Sequence, residues 1–124
     1  MLGESTVFAT VAVKDINSAK EFYSGTLGLK QTDENPGGVT FSSGSGKIFV
    51  YQAPTAGTNQ ATCAAWEVNG IEAIVEGLKA KGVTFEQYEV PGTTREGDIH
   101  IMGNMKAAWF KDPDGNILNV VSLG

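Results

Sequence analysis

Two distant stretches of this chain share one layout, and that repetition limits the folds open to it more than any other feature. Phe110-Lys111-Asp112-Pro113-Asp114-Gly115-Asn116-Ile117-Leu118 runs aromatic, four polar or turn residues, Gly, a polar residue, then a strand. Phe41-Ser42-Ser43-Gly44-Ser45-Gly46-Lys47-Ile48-Phe49 does the same at an offset of 69 (110 − 41). A second echo lies upstream. Val13-Lys14-Asp15-Ile16 and Val68-Asn69-Gly70-Ile71 each close a β-like run and open a helical one, offset by 55 (68 − 13). The chain reads as a single domain of two copies, about 6–53 and 61–123, with 14 extra residues (69 − 55) inside the second.

Each copy carries the same order of periodicities. Val7, Ala9, Val11 and Val13 alternate with Phe8, Thr10, Ala12 and Lys14, which is a strand pattern. Asp15 then offers an N-cap to a helical stripe of Ile16, Ala19, Phe22 and Tyr23, ended by Gly25 and Gly28. Short strands follow over 29–33, 39–43 and 47–52, separated by Gly-rich turns. In the second copy a strand over 62–68 precedes a helix carrying Ile71, Ile74, Val75 and Leu78, with Asn69 and Glu72 at capping-box spacing. A strand over 83–90, a polar excursion over 91–104 and a closing hairpin around Asp112-Pro113-Asp114-Gly115 complete it. The order is βαβββ, twice.

Composition removes several function classes. Hydrophobic residues at 41% and charged ones at 19% fit a globular core. A net charge of −5 without a Lys/Arg cluster argues against a nucleic-acid surface. No apolar run nears the roughly 20 residues a bilayer demands, so no membrane partner is expected. Cys63 is alone, which rules out an internal disulfide. The first residues lack the basic and apolar regions of a signal peptide, so a cytoplasmic location is expected.

The paired βαβββ pattern, the stretch from Asp15 through Phe22-Tyr23 to Leu27-Gly28-Leu29, and the terminal Phe-Lys-Asp-Pro-Asp-Gly-Asn together resemble the vicinal-oxygen-chelate superfamily. That group includes glyoxalase I, bleomycin-resistance proteins and extradiol dioxygenases. The resemblance implies an α+β fold in which two βαβββ modules form a curved mixed sheet around a concave cavity, with helices on the outer face. It also implies a homodimer in which modules of two chains complete each cavity. Enzymes of the group place His, Gln or Glu metal ligands on the first and last strands of each module. Matched by motif, those positions fall on Phe8, Val50, Cys63 and Asn119. Phe and Val have no donor atoms, Asn is a weak neutral ligand, and one Cys cannot hold zinc. Neither a metal nor another cofactor is expected.

Other candidates follow from strand parity. Glu67 shares parity with Cys63, and can be a general base or a solvated charge beside Lys14. Cys63 is a nucleophile only if a base or positive field lowers its pKa; otherwise it is a small packing residue. Trp109 has the parity opposite to Phe110, which leaves it facing the concavity, where a large aromatic suits a flat ligand or equally fills the core or a dimer contact. The excursion, carrying His100 and Arg95, is a candidate lid or specificity loop, or equally an exposed loop that pads a dimer interface. The expected function is a small-molecule-binding protein that sequesters a hydrophobic or aromatic ligand. Its cavity would be lined by Phe8, Thr10, Val50, Cys63, Glu67, Trp109 and Asn119. The alternative is a lyase, isomerase or dioxygenase-like enzyme that uses Glu67, His100 or an unorthodox metal site.

Overall fold

The alternation of Val11 and Val13 with Thr10 and Ala12 produces the first strand, and the same logic recurs along the chain. The computed structural model describes residues 1–123. The first module comprises β1 (Ala9–Val13), α1 (Ile16–Lys20), β2 (Lys30–Asn35), β3 (Gly38–Ser43) and β4 (Gly46–Gln52). Asp15 caps α1, accepting from the backbone N–H groups of Asn17 and Ser18. The helix continues as a π-helical turn over Glu21–Thr26, closed by Leu27 N–H donating to the Phe22 carbonyl. The second module comprises β5 (Thr62–Glu67), α2 (Ile71–Ala80), β6 (Phe85–Glu86), β7 (Thr94–Glu96), β8 (Ile99–Met102), β9 (Met105–Lys111) and β10 (Ile117–Ser122).

Strand order is β1-β4-β3-β2 in one sheet and β5-β10-β9-β8-β7 in the other. In both, the first strand lies parallel to the last and the remaining pairs are antiparallel. These are the two βαβββ modules with mixed sheets and peripheral helices that the repeat implied. The outer strand β2 is polar and exposed throughout, with a bulge at Thr32.

One buried cluster joins the modules. Ala19 and Tyr23 from the first helix meet Val11, Val13, Phe41 and Val50; Ile71 and Val75 from the second meet Phe110, Leu118 and Val120. Phe22 crosses between modules, its ring 6.5 Å from that of Phe110. The closing turn of the second module clamps the first. Asp112 accepts from Tyr23 OH and Asn116 Nδ2, each at 2.8 Å, and from the backbone N–H groups of Asp114 and Asn116. Asn116 Nδ2 also donates to the Ala12 carbonyl, and Lys14 N–H donates to Asp114.

Two local expectations change. Residues 83–90 do not form the second strand of module two, because only Phe85 and Glu86 pair with β9. That place in the sheet belongs to β8, inside the supposed loop. The excursion is a hairpin whose two-residue turns begin with Gly97 (φ 62°) and Gly103 (φ 59°). Glycine at the first turn position is the type II′ pattern, which suits the twist of paired strands. The capping box is also absent. Gly70 is the N-cap of α2 with no side-chain cap, and Glu72 pairs with Lys106 at 2.8 Å.

The Tyr23 phenol is pushed up from its ordinary pKa of 10.0 by burial first and by the Asp112 charge second. A phenol raised in the folded state stabilises fully below pH 10 and loses that contribution as pH rises beyond it. Tyr23→Phe should cost about 1.5–3 kcal/mol, as for a hydrogen bond to a charged group. Urea melts should also show the wild-type loss of stability above pH 10 reduced in the variant.

Candidate functional site

Each sheet has a helix-covered face and an opposite, open one. On the first sheet, Val11 pairs with Val50 and Thr10 with Phe49. Val50 is fully buried in the shared core, so it cannot line the open face. The error comes from a turn. The 69-residue offset holds at Phe41 and Phe110, which face Ile48 and Leu118 respectively. The offset there has become 70 (118 − 48), because the Asp112 turn is one residue longer. A one-residue slip turns a side chain to the other face. The counterpart of Asn119 is Phe49, whose ring stacks 6.2 Å from Tyr51. Phe8, 42% exposed with the Lys47 ammonium 4.8 Å above its ring, and Thr10 share this side.

A second slip removes Cys63. Ile117 pairs with Thr62 but Leu118 pairs with Ala64, so Cys63 is the extra residue of a bulge. It packs against the core cluster instead of facing outward. Burial and then the Asp112 charge push its thiol up, the reverse of an activated nucleophile. Thr62 takes the outward place, accepting from Trp109 Nε1 at 3.0 Å. Glu67 stands exposed near the other end of β5, beside Val121. Among the described residues it forms no ion pair with Lys14. Arg95 is exposed and lies 3.9 Å from Glu89.

The open face of the second sheet is where residues converge. Trp109 sits beside Asn119 across the β9–β10 ladder. The His100 ring stands edge-on to Trp109 at 4.8 Å, and Tyr88 does so at 5.6 Å. Tyr88 is absent from the sequence-derived candidates, because it falls inside the stretch 83–90 that reads as a strand. His100 is 2% exposed and Asn119 7%. The Tyr88 backbone N–H donates to His100 Nε2 at 3.0 Å, and the Tyr88 carbonyl lies 3.1 Å from the same nitrogen. An amide N–H donates and a carbonyl accepts, so Nε2 is engaged by the Tyr88 backbone in either tautomer. His100 Nδ1 has no partner. Nor do Tyr88 OH and Asn119 Oδ1, and among the described residues these three are the buried side-chain polar atoms left without one. All three belong to residues that border one indole, that of Trp109. An unpaired buried polar atom costs about 1–3 kcal/mol, so such grouping needs an explanation beyond packing.

The sequence model of the Glyoxalase/Bleomycin resistance protein/Dioxygenase superfamily matches residues 6–120. The chain belongs to this superfamily. Solved structures agree on the fold. An integron cassette protein from the mobile metagenome of the Halifax Harbour sewage outfall is 19% identical with a TM-score of 0.72, over 96% of this chain and 99% of its own. The genomically encoded fosfomycin resistance protein of Listeria monocytogenes is 14% identical with a TM-score of 0.73, over 98% and 94%. An antibiotic-binding protein from Streptomyces sp. CB03234 is 19% identical with a TM-score of 0.67, over 96% and 97%.

The resemblance to the superfamily's metal enzymes can be tested on the donor atoms present. With the longer turn and the bulge taken into account, the four outward strand positions hold Phe8, Phe49, Thr62 and Asn119. Two have no donor atoms and two are weak neutral oxygens. Among the described residues no group of three or more His, Cys, Asp or Glu is placed to hold a metal ion. The residues at this site do not fit a metal centre of the superfamily's kind.

Adjacent residues on β9 separate core from site. Phe110 is 1% exposed between Phe85, Trp66 and Phe22, whereas Trp109 lies on the open face. Phe110→Ala should cost roughly 3–5 kcal/mol, as for a core aromatic. Trp109→Ala should cost clearly less in a denaturant melt; an equal or greater loss would make Trp109 a core residue.

Proposed function

We propose that this member of the superfamily binds a small planar molecule on the open face of its second sheet, against Trp109. The carrying observation is that Tyr88, His100 and Asn119 all neighbour that ring, while Tyr88 OH, His100 Nδ1 and Asn119 Oδ1 lack partners among the described residues. An aromatic or heteroaromatic ligand stacks on the indole. Its polar atoms meet His100 Nδ1 and Asn119 Oδ1. Binding then converts unmet desolvation into hydrogen bonds, and that is a source of specificity for polar aromatics. The antibiotic-binding protein of Streptomyces sp. CB03234, which shares this fold, supports sequestration as a mode available to it. A catalytic role is less well supported. His100 Nε2 is tied to the Tyr88 backbone, and Glu67 stands exposed at the end of its strand away from Thr62 and Trp109.

Asn119→Leu separates a binding site from a packing defect. Removing an unpaired buried polar group should raise the melting temperature of the free protein. It should also weaken any ligand found in a thermal-shift panel of phenols, indoles and heteroaromatic amides. A ligand at 100 times its Kd should add about 2.7 kcal/mol to the wild type. If no panel member shifts the wild type, or Asn119→Leu responds identically, the binding proposal fails.

We further propose that the protein is a homodimer whose partner covers these faces. Phe8, Phe49, Tyr51 and Trp109 present aromatic surface away from the helices, and such surface favours a contact. Light scattering at micromolar concentration should give about twice the 13.1 kDa chain mass. A single-chain mass throughout that range would exclude this arrangement.

A further inference from the structure

A cleft of about 530 Å³ opens on the helix-covered side, between α2 and the β3–β4 hairpin, away from Trp109. Leu29, Trp66, Val68, Ile74 and Leu78 line it over a floor at Phe110. Trp66 is held there by its Nε1–H donating to Ser43 Oγ at 2.9 Å. Ile74 remains 37% exposed, a large aliphatic on the cleft wall with no protein cover. The volume falls within the usual range for small-ligand sites.

Charge distinguishes this cleft from a simple packing fault. The chain carries 14 acidic and 9 basic residues, yet the charged residues lining the cleft are Lys30 and Lys81 alone. Five of the nine cations pair with carboxylates: Lys20, Lys79, Arg95, Lys106 and Lys111. Among the described residues Lys30 and Lys81 do not, and the Lys81 ammonium makes only a 3.4 Å contact to the Gly25 carbonyl. Two unneutralised ammonium groups beside an apolar trough complement an anion with a hydrocarbon body. We propose that this cleft is a second binding site, for an amphipathic carboxylate whose chain lies along Trp66, Val68 and Ile74 and whose head group meets Lys30 and Lys81.

Gly77 supplies a clean way to close the site. It lines the cleft from α2, and a Cβ there would meet nothing within 4 Å. Leucine is a better helix former than glycine, so Gly77→Leu keeps the fold while its side chain occupies the trough. In the Trp109→Phe protein, Trp66 is the single remaining tryptophan and reports this cleft. Titration with sodium decanoate below its micellar concentration should give a saturable change in Trp66 emission. Gly77→Leu in that background should weaken the response at least tenfold, and Lys30→Glu with Lys81→Glu should do likewise. Decanol, with the same chain and no charge, should bind about tenfold more weakly, and added salt should lessen the preference. The proposal is overturned by no saturable change, by equal binding of decanol, or by a Gly77→Leu protein that responds like its parent. A Gly77→Leu protein that changes oligomeric mass in a background blind to decanoate would assign the cleft to a second copy and equally overturn it.

Discussion

The Asp112 carboxylate is the point on which the two modules turn. It is buried, takes four hydrogen bonds and binds a tyrosine from the first module's helix to the closing turn of the second. A carboxylate in that position is tolerable only because its oxygens are met by donors in fixed places. Its geometry sets where β9 ends and β10 begins, and hence how Trp109 and Asn119 stand opposite each other. The Asp-Pro-Asp-Gly motif resembles a simple turn in sequence. In the fold it is a polar joint between two apolar halves.

Much of the architecture was legible because it rests on periodicity. Alternation along β1, the stripe on α1 and the doubled layout required nothing but counting. The separation of Trp109 from Phe110 followed from parity. The failures share one physical origin. A constant repeat offset points to Val50 and Cys63, but the backbone gains a residue at the longer Asp112 turn and at the Thr62–Ala64 bulge. An added residue leaves composition unchanged and reverses every side chain beyond it. The hairpin of β7 and β8 was hidden for another reason: its turn glycines and its polar strand Thr94–Glu96 resemble a loop. The Gly-X turn chemistry was the signal available there.

The same two irregularities make the duplicated faces chemically unlike. One open face carries Phe49 and Tyr51, while the other carries Asn119, Thr62 and Trp109, with His100 swung beside them by the extra hairpin. Among the described residues, the buried side-chain polar atoms lacking partners all belong to residues beside Trp109. Duplication supplied the frame, and one-residue changes with a 14-residue insertion (69 − 55) differentiated what it displays.

The polar outer strand β2 bears on how copies of the chain can meet. Lys30, Asp33 and Glu34 lie along it in solvent, and the bulge at Thr32 breaks the ladder that an incoming strand would need. An undefended margin invites strand-by-strand addition, which has no natural end and grows fibres. With that margin refused, a short run of charge and one misplaced threonine keep this edge from extending the sheet from copy to copy.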